Sequence, residues 1–431
     1  MRLWAIVVHI AQRGCRIDFV TKVIKSRKKA INGTSATETS SAPEMQQLAP
    51  RVLVTCAIFE PGFRGGGPAR SVSHILDSAP TNLDLLLVTR DRDVGAPEPY
   101  PELSGRWIPR GRAAVFYLDT RSIVQWLRLT AELRRKRITL MYVNSLWDPC
   151  FSLLPLILSV LRILPVQNVL LAPRGELSVG ALSLKARKKR WFLRVWRPLL
   201  SHMNLTWHAS SEMEAADVRA VFRSANVTIC IDHTLPVLTA AETPRLHHVL
   251  PKFVYISRIS AMKNLQVAID ALTAVSTPAT FDIYGPLEDK KYWSACEQKI
   301  AALPDHISVT YRGELAPNQV VSTFGLYDAF VFPTLGENFG HVIAESLASS
   351  CPVICSDRTP WTAVLEAGGG QVVRDLTPAA LGAVLARWAT MSSTEIAVAR
   401  NAARAAFLEW FRQQDRSNVL ELVLRRIRLG Q

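Results

Sequence analysis

Cysteine is scarce in this sequence. Seven cysteines lie scattered over 431 residues, too few and too dispersed for a disulfide framework, which fits a reducing compartment. The nearest pair, Cys351 and Cys355, has no second Cys/His pair at zinc-ligand spacing. Both therefore read as buried thiols. Long apolar runs are also missing. The most apolar internal stretch, 151–171, is broken by Pro155, Arg162, Pro165 and Gln167, whereas a membrane-spanning helix needs about 20 uninterrupted apolar residues. A buried helix to about Leu164 and then a strand at Asn168–Leu171 are expected there. Without a spanning segment, the protein is expected to be soluble or only peripherally attached to a membrane. Acidic residues are outnumbered, 36 against 51 Lys and Arg, for a net charge of +15. A surplus of that size implies a phosphate-rich partner: nucleic acid, an anionic membrane or phosphorylated ligands.

What is present is a chain of globular composition. Hydrophobic residues make up 48% and charged residues 20%, which excludes a disordered chain or a coiled coil. The length suits two domains or three. Residues 1–50 differ from the rest. A short apolar start is followed by Lys22, Lys25, Arg27, Lys28 and Lys29, then by the polar run NGTSATETSSAPEMQQ. The apolar part is too short to span a bilayer and lacks a small-residue cleavage site. This reads as a variable basic, low-complexity extension rather than a targeting signal.

From Arg51 onward, short apolar runs alternate with helical patterns. RVLVTC (51–56), DLLLVTR (84–90), AVFYLD (114–119), TLMYVN (139–144), NVLLAP (168–173), LTWHAS (205–210) and VTICID (227–232) each read as a buried strand. Amphipathic segments such as 122–137 and 211–223 lie between them. Residues 236–248, within HTLPVLTAAETPRLHH, break the pattern and read as a linker. A second series follows: KFVYIS (252–257), TFDIYG (280–285), ISVTYRG (307–313), DAFVFP (328–333), PVICS (352–356) and GQVVR (370–374). Such alternation predicts an α/β chain of two tandem Rossmann-like, doubly wound domains, 51–235 and 249–393, of about six or seven strands each. The tail, 394–431, reads as a long helix able to cross back onto the first domain. Ligands of such sheets bind outside the carboxyl ends of the strands, so the cleft between the domains is the expected site.

Three constellations carry chemistry. Arg258 and Lys263 follow the first strand of the second domain and precede a helix at 264–272. Cations beside a helix N-terminus favour phosphate, although ordinary loop charges would look the same. The segment Gly336-Glu337-Asn338-Phe339-Gly340-His341 follows the strand at 328–333 and opens the helix VIAESLA. Its glycines permit close backbone approach to a ligand. Glu337 sits in the loop. Glu345 lies on the same helical face as His341, among Ile343, Ala344, Leu347 and Ala348, an apolar setting in which a carboxylate requires a partner. In the first domain, Gly65, Gly66 and Gly67 precede Pro68 at the first strand–helix junction, where a doubly wound domain approaches phosphate. This is not GxGxxG and no acid ends the second strand, so nicotinamide chemistry is disfavoured.

Arg258 with Lys263, Asp282-Ile283-Tyr284-Gly285-Pro286, and Glu337 with Glu345 closely resemble the group 1 (family 4) glycosyltransferases, retaining enzymes of the GT-B architecture. The resemblance extends to FRGGGPARSV (63–72), NSLWDP (144–149), PRGELSVGALSLKARKKR (173–190) and HASSEMEA (208–215), and spans about residues 51–415. It implies an acceptor-side first domain and a second domain that holds a nucleotide sugar. By that resemblance Arg258 and Lys263 hold the donor diphosphate, Glu337 binds donor-sugar hydroxyls, and Glu345 accepts from the ribose. Asn338, Phe339 and Gly340 present backbone groups, Gly66 and Gly67 close over the diphosphate, and the loop at Gly285 faces the base. It further implies a glycan or lipid-linked acceptor. Fixed cations replace a metal ion, and with no Asp-x-Asp in a metal-binding context the reaction is expected to be metal-independent, with no cofactor.

The sequence departs from the family pattern after the fourth strand, where MYVNSLWD supplies Asn144 and Ser145 instead of a histidine, so no base is assigned. Asn144, Arg174 and Glu176 are acceptor-side candidates, the last two alternatively a mutual ion pair. His74 and His208 read as structural. Residues 185–197 (KARKKRWFLRVWR) carry seven cations, no acid and three interleaved aromatics, which suits an anionic membrane surface or an amphipathic helix packing its aromatics inward. Nucleic acid is disfavoured because no recognition module is present. The expected location is cytoplasmic, peripheral on the inner membrane face. A nucleotide-sugar epimerase of the same fold, and a non-catalytic membrane-docked binder of nucleotide sugar or glycan, are the alternatives.

Overall fold

The apolar runs become two parallel sheets in a computed structural model that describes residues 49–62, 64–183, 186–231, 250–415 and 417–430. The first sheet has eight strands: β1 (Arg51–Thr55), β2 (Asp84–Arg90), β3 (Trp107–Arg110), β4 (Ala113–Leu118), β5 (Ile138–Asn144), β6 (Val166–Ala172), β7 (Leu205–Ala209) and β8 (Val227–Ile229). Their order is β3-β4-β2-β1-β5-β6-β7-β8. The second sheet has six: β9 (Lys252–Ile256), β10 (Ala279–Tyr284), β11 (Ile307–Tyr311), β12 (Ala329–Phe332), β13 (Val353–Ser356) and β14 (Gly370–Val373). They run β11-β10-β9-β12-β13-β14.

All pairs are parallel except β3 with β4. This antiparallel edge strand, WIPR, makes the first sheet larger than the sequence pattern suggested. It is short and contains Pro109, which only an edge tolerates. Core residues of β1 alternate between the two faces: Leu53 joins one apolar cluster, Val52 and Val54 the other. Both faces are thus covered, as continuous apolar strands require.

Strand order reverses between β1 and β5 in the first sheet, and between β9 and β12 in the second. The loops that leave these four strands are the glycine run, NSLWDP, the Arg258–Lys263 turn and the GENFG segment. Topology therefore brings four separate stretches of sequence to the crevices where doubly wound sheets bind ligands.

Two expected helices end early. The helix in 151–171 runs Leu154–Val160, preceded by a π-helical turn at Pro149–Leu153 that the Asp148 side chain caps. Arg162, at φ 53°, turns the chain out before β6. The tail divides into Ser393–Arg412 and Val419–Leu429. Phe407 of the first half packs in the second domain's core. Val419, Leu420, Val423 and Leu424 of the second half join the core of the first sheet. There Asn418 donates to the Ile75 carbonyl at 2.8 Å and Arg426 to Thr228 Oγ1 at 2.8 Å. The expected linker at 236–248 and the extension at 1–48 lie outside the described residues. Among the described residues no helix is long and apolar enough to cross a membrane.

Candidate active site

The second domain supplies a buried ion pair. A 3-10 turn at Ala261–Lys263 ends on Asn264 in the left-handed region, φ 57°, and directs Lys263 inward. Its Nζ lies 2.5 Å from Glu337 Oε1, with both side chains about nine-tenths buried, and 5.6 Å over the Phe332 ring. Thr334 Oγ1 donates to the same carboxylate at 2.9 Å. Arg258 points outward instead, its guanidinium 3.0 Å from Glu288 and half exposed. Gly285, φ 136°, passes so close to Ser257 that a Cβ would stand 1.9 Å from its carbonyl oxygen. Only glycine fits there.

The helix His341–Ala348 starts from Gly340 at φ 81°. Phe339 is buried against Trp361, whose indole donates to the Phe339 carbonyl at 2.5 Å. Its backbone is thereby fixed at the start of the helix while its ring serves the core. Glu345, one turn in, is 4% exposed and takes an ion pair from Arg70 of the first domain. Burial pushes its carboxyl up to about 7, with Arg70 opposing the rise.

Across the cleft, Gly66 at φ 68° precedes the helix Gly67–Asp77. Gly67 faces His341, and Ser71 Oγ lies 3.2 Å from His341 Nε2. Asn338 reaches Ser210 Oγ at 3.0 Å and, with its NH2 turned to the carboxylate as the network requires, donates to Glu214. Arg64 meets Glu314 at 3.4 Å. Arg174, at φ 54°, donates to Asn144 Oδ1 at 2.8 Å and Tyr142 OH at 2.9 Å. Tyr142 in turn meets His208 Nδ1 at 2.7 Å, and His208 Nε2 lies 2.9 Å from the Cys230 carbonyl. A ring nitrogen facing a carbonyl carries the proton, so His208 accepts from Tyr142 and braces it beneath Arg174. Glu176 accepts from Ser145 Oγ at 2.8 Å and Leu146 N at 2.5 Å, which caps the loop after β5. Burial pushes its carboxyl up to about 7.

Twelve of the thirteen residues singled out from the sequence line one cavity of about 410 Å³ between the domains. They are Gly66, Gly67, Arg174, Glu176, Arg258, Lys263, Gly285, Glu337, Asn338, Phe339, Gly340 and Glu345. Asn144 is buried behind Arg174. Sequence reasoning assigned no role to Arg64, Arg70, Ser178 or Glu314, which also line it. Arg64 and Arg70 flank the glycine run, but their partners Glu314 and Glu345 lie in distant segments, while Ser178, two residues after Glu176, caps Ala181 locally.

The N-terminal residues of two helices meet there with Lys263 and Arg258, an arrangement that attracts an anion. An Asp-x-Asp triplet does follow β2, Asp91-Arg92-Asp93. Its Asp91 is buried and accepts from Ser104 at 2.7 Å and Arg92 at 2.9 Å. Among the described residues no group of three or more His, Cys, Asp or Glu is arranged to hold a metal ion.

Residues 250–390 match the family described as "Glycosyl transferases group 1". No curated protein matches the sequence. Among solved structures, sucrose-phosphate synthase from Thermosynechococcus elongatus aligns at a TM-score of 0.63 and 17% identity, over 89% of this chain and 100% of that one. HepE of Anabaena in complex with UDP-glucose aligns at 0.61 and 15%, over 83% and 94%. WaaG, a glycosyltransferase involved in lipopolysaccharide biosynthesis, aligns at 0.56 and 13%, over 82% and 95%. The chain thus has the two-domain GT-B fold of these structures, and its residues 250–390 match the group 1 glycosyltransferase family.

Proposed function

We propose that this protein transfers a glycosyl group from a nucleoside diphosphate sugar to a glycan or lipid-linked acceptor, with retention of anomeric configuration and without a metal ion. The observation that carries the reading is the Lys263–Glu337 pair, buried at the mouth of two helix N-termini inside the region that matches the group 1 glycosyltransferase family. Glycosyl transfer passes through an oxocarbenium-like state. Its leaving group here is a diphosphate, and the charge that grows on it needs fixed positive partners. Lys263 and the start of the helix His341–Ala348 supply them. Arg258 adds a second cation once it leaves Glu288. Lys263 and Thr334 hold Glu337 oriented for the hydroxyls of the donor sugar. Glu345 serves the ribose. The acceptor attacks from the face the diphosphate leaves, between Arg174 and the glycine loop, which retains configuration with no covalent enzyme intermediate. A structure of the same fold holds UDP-glucose, which supports a nucleotide-sugar donor.

The exposed cations of the helix Ala186–Leu200, on the acceptor side, support an acceptor carried by an anionic membrane surface and hence a peripheral, cytoplasmic-face location.

The test is a panel of UDP-, GDP- and ADP-sugars assayed for nucleoside diphosphate release, with chelator and with membrane-lipid acceptors. Acceptor-dependent release that survives chelator is expected. Glu337→Ala should lose at least about 10²-fold in kcat, as removal of a transition-state contact does, with its melting temperature retained. Full activity in that variant would overturn the assignment. Donor isomerisation without acceptor would identify an epimerase, and binding without turnover a non-catalytic binder.

A further inference from the structure

Arg70 and Glu345 are 275 positions apart and meet across the cleft. Each stands one turn into a helix whose N-terminus lines the cavity. Arg70 Nη1 donates to Glu345 Oε1. The other carboxylate oxygen, Oε2, is buried and has no hydrogen-bond partner. A buried acceptor left without a donor is unfavourable, and in a cavity wall it marks where a ligand donor completes the network.

We propose that Arg70 is a positioning residue for the donor nucleoside, holding one oxygen of Glu345 across the closed cleft so that the other, Oε2, accepts from the ribose hydroxyls. The inference rests on the donor reading above and adds to it a residue from the opposite domain. Arg70 acts on Glu345 in two ways. It opposes the burial that would leave the carboxyl neutral and a poorer acceptor. It also fixes the rotation of the carboxylate, because a guanidinium–carboxylate contact is directional. Arg70 belongs to the first domain, so it reaches Glu345 only when the domains are together. Ribose recognition is thereby tied to closure, whereas Lys263, in the second domain itself, can meet the diphosphate in any arrangement.

A cycle between Arg70 and the ribose hydroxyls tests this. Calorimetry measures UDP, GDP and ADP, and the 2′,3′-dideoxy counterpart of whichever binds best, against the full chain and Arg70→Met. The wild type should prefer the ribonucleotide by about tenfold, the worth of a hydrogen bond to a charged group. In Arg70→Met the preference should fall to about twofold or less, with the dideoxy ligand bound nearly as before. A merely structural arginine would weaken both ligands alike. A full preference in Arg70→Met, or none in the wild type, overturns the inference and leaves the donor reading standing. Binding of no diphosphate by the wild type overturns both. Should Arg70→Met fail to fold by circular dichroism, Arg70→Lys decides: it keeps the charge without the fork, an intermediate preference is expected, and an unchanged one overturns the inference.

Discussion

Burial and pairing pull the Glu345 carboxyl in opposite directions, and burial prevails, with the group pushed from 4.5 up to about 7. The folded chain therefore keeps a proton that the unfolded chain has released. The difference favours the fold fully below about pH 4.5 and is lost as pH rises through about 7. Glu345→Gln cannot titrate. Between about pH 5 and about pH 8 the wild type should lose on the order of 2 kcal/mol relative to Glu345→Gln, read from urea unfolding. Groups common to both proteins cancel in that comparison. Parallel stability curves would show that the carboxyl is ionised in the fold throughout. Glu345 was legible as a carboxylate among apolar neighbours that needed a partner. Arg70 was not, because its partner lies in another domain 275 positions away, and such a contact leaves no local pattern.

Elements were the most legible level, for a physical reason. A strand covered on both faces must be apolar throughout, and most of the thirteen runs are; edge strands such as β11, with Ser308 exposed, were legible from their β-branched and aromatic residues. The fourteenth, β3, is a four-residue antiparallel strand with no buried residue, and it contains Pro109, so it carried no such signal. The helix Ala186–Leu200 shows the limit of composition. Its Phe192 and Trp196 turn inward, as packing of an amphipathic helix requires, while Trp191 is 46% exposed. Arg187, Lys188, Arg190, Arg194 and Arg197 are exposed beside it. That outer face suits an anionic bilayer. Cosedimentation with vesicles containing about one third anionic lipid should therefore exceed that with neutral vesicles. Arg187→Glu with Lys188→Glu, Arg190→Glu and Arg194→Glu should abolish the excess, since each cation near such a surface contributes about 1 kcal/mol. Unchanged binding by the reversed helix would exclude it as the membrane contact.

At the scale of the whole molecule, the two sheets could be read from the sequence but their relation could not. The relation rests on contacts between unlike segments: Arg64 with Glu314, Arg70 with Glu345, Ser71 with His341, and Asn338 with Ser210. The closing helix Val419–Leu429, seated in the first core, adds a covalent tie from the second domain. This is a closed arrangement, and Gly67 is its tightest point that a side chain can test. A Cβ there would stand 2.6 Å from the His341 ring, so Gly67→Val should wedge the domains apart while leaving each sheet intact. Turnover should fall on the order of 10²-fold, the cost of misplacing reacting groups by about 1 Å. Solution scattering should lose the compaction that a nucleoside diphosphate sugar produces in the wild type, because closure over the donor is what the wedge prevents. Removing the opposing ring makes the argument specific. His341→Ala in the Gly67→Val background should restore both compaction and most of the rate, a recovery that a variant with a damaged first domain would not show. Wild-type turnover by Gly67→Val alone would mean that the reaction proceeds in a more open arrangement than this one.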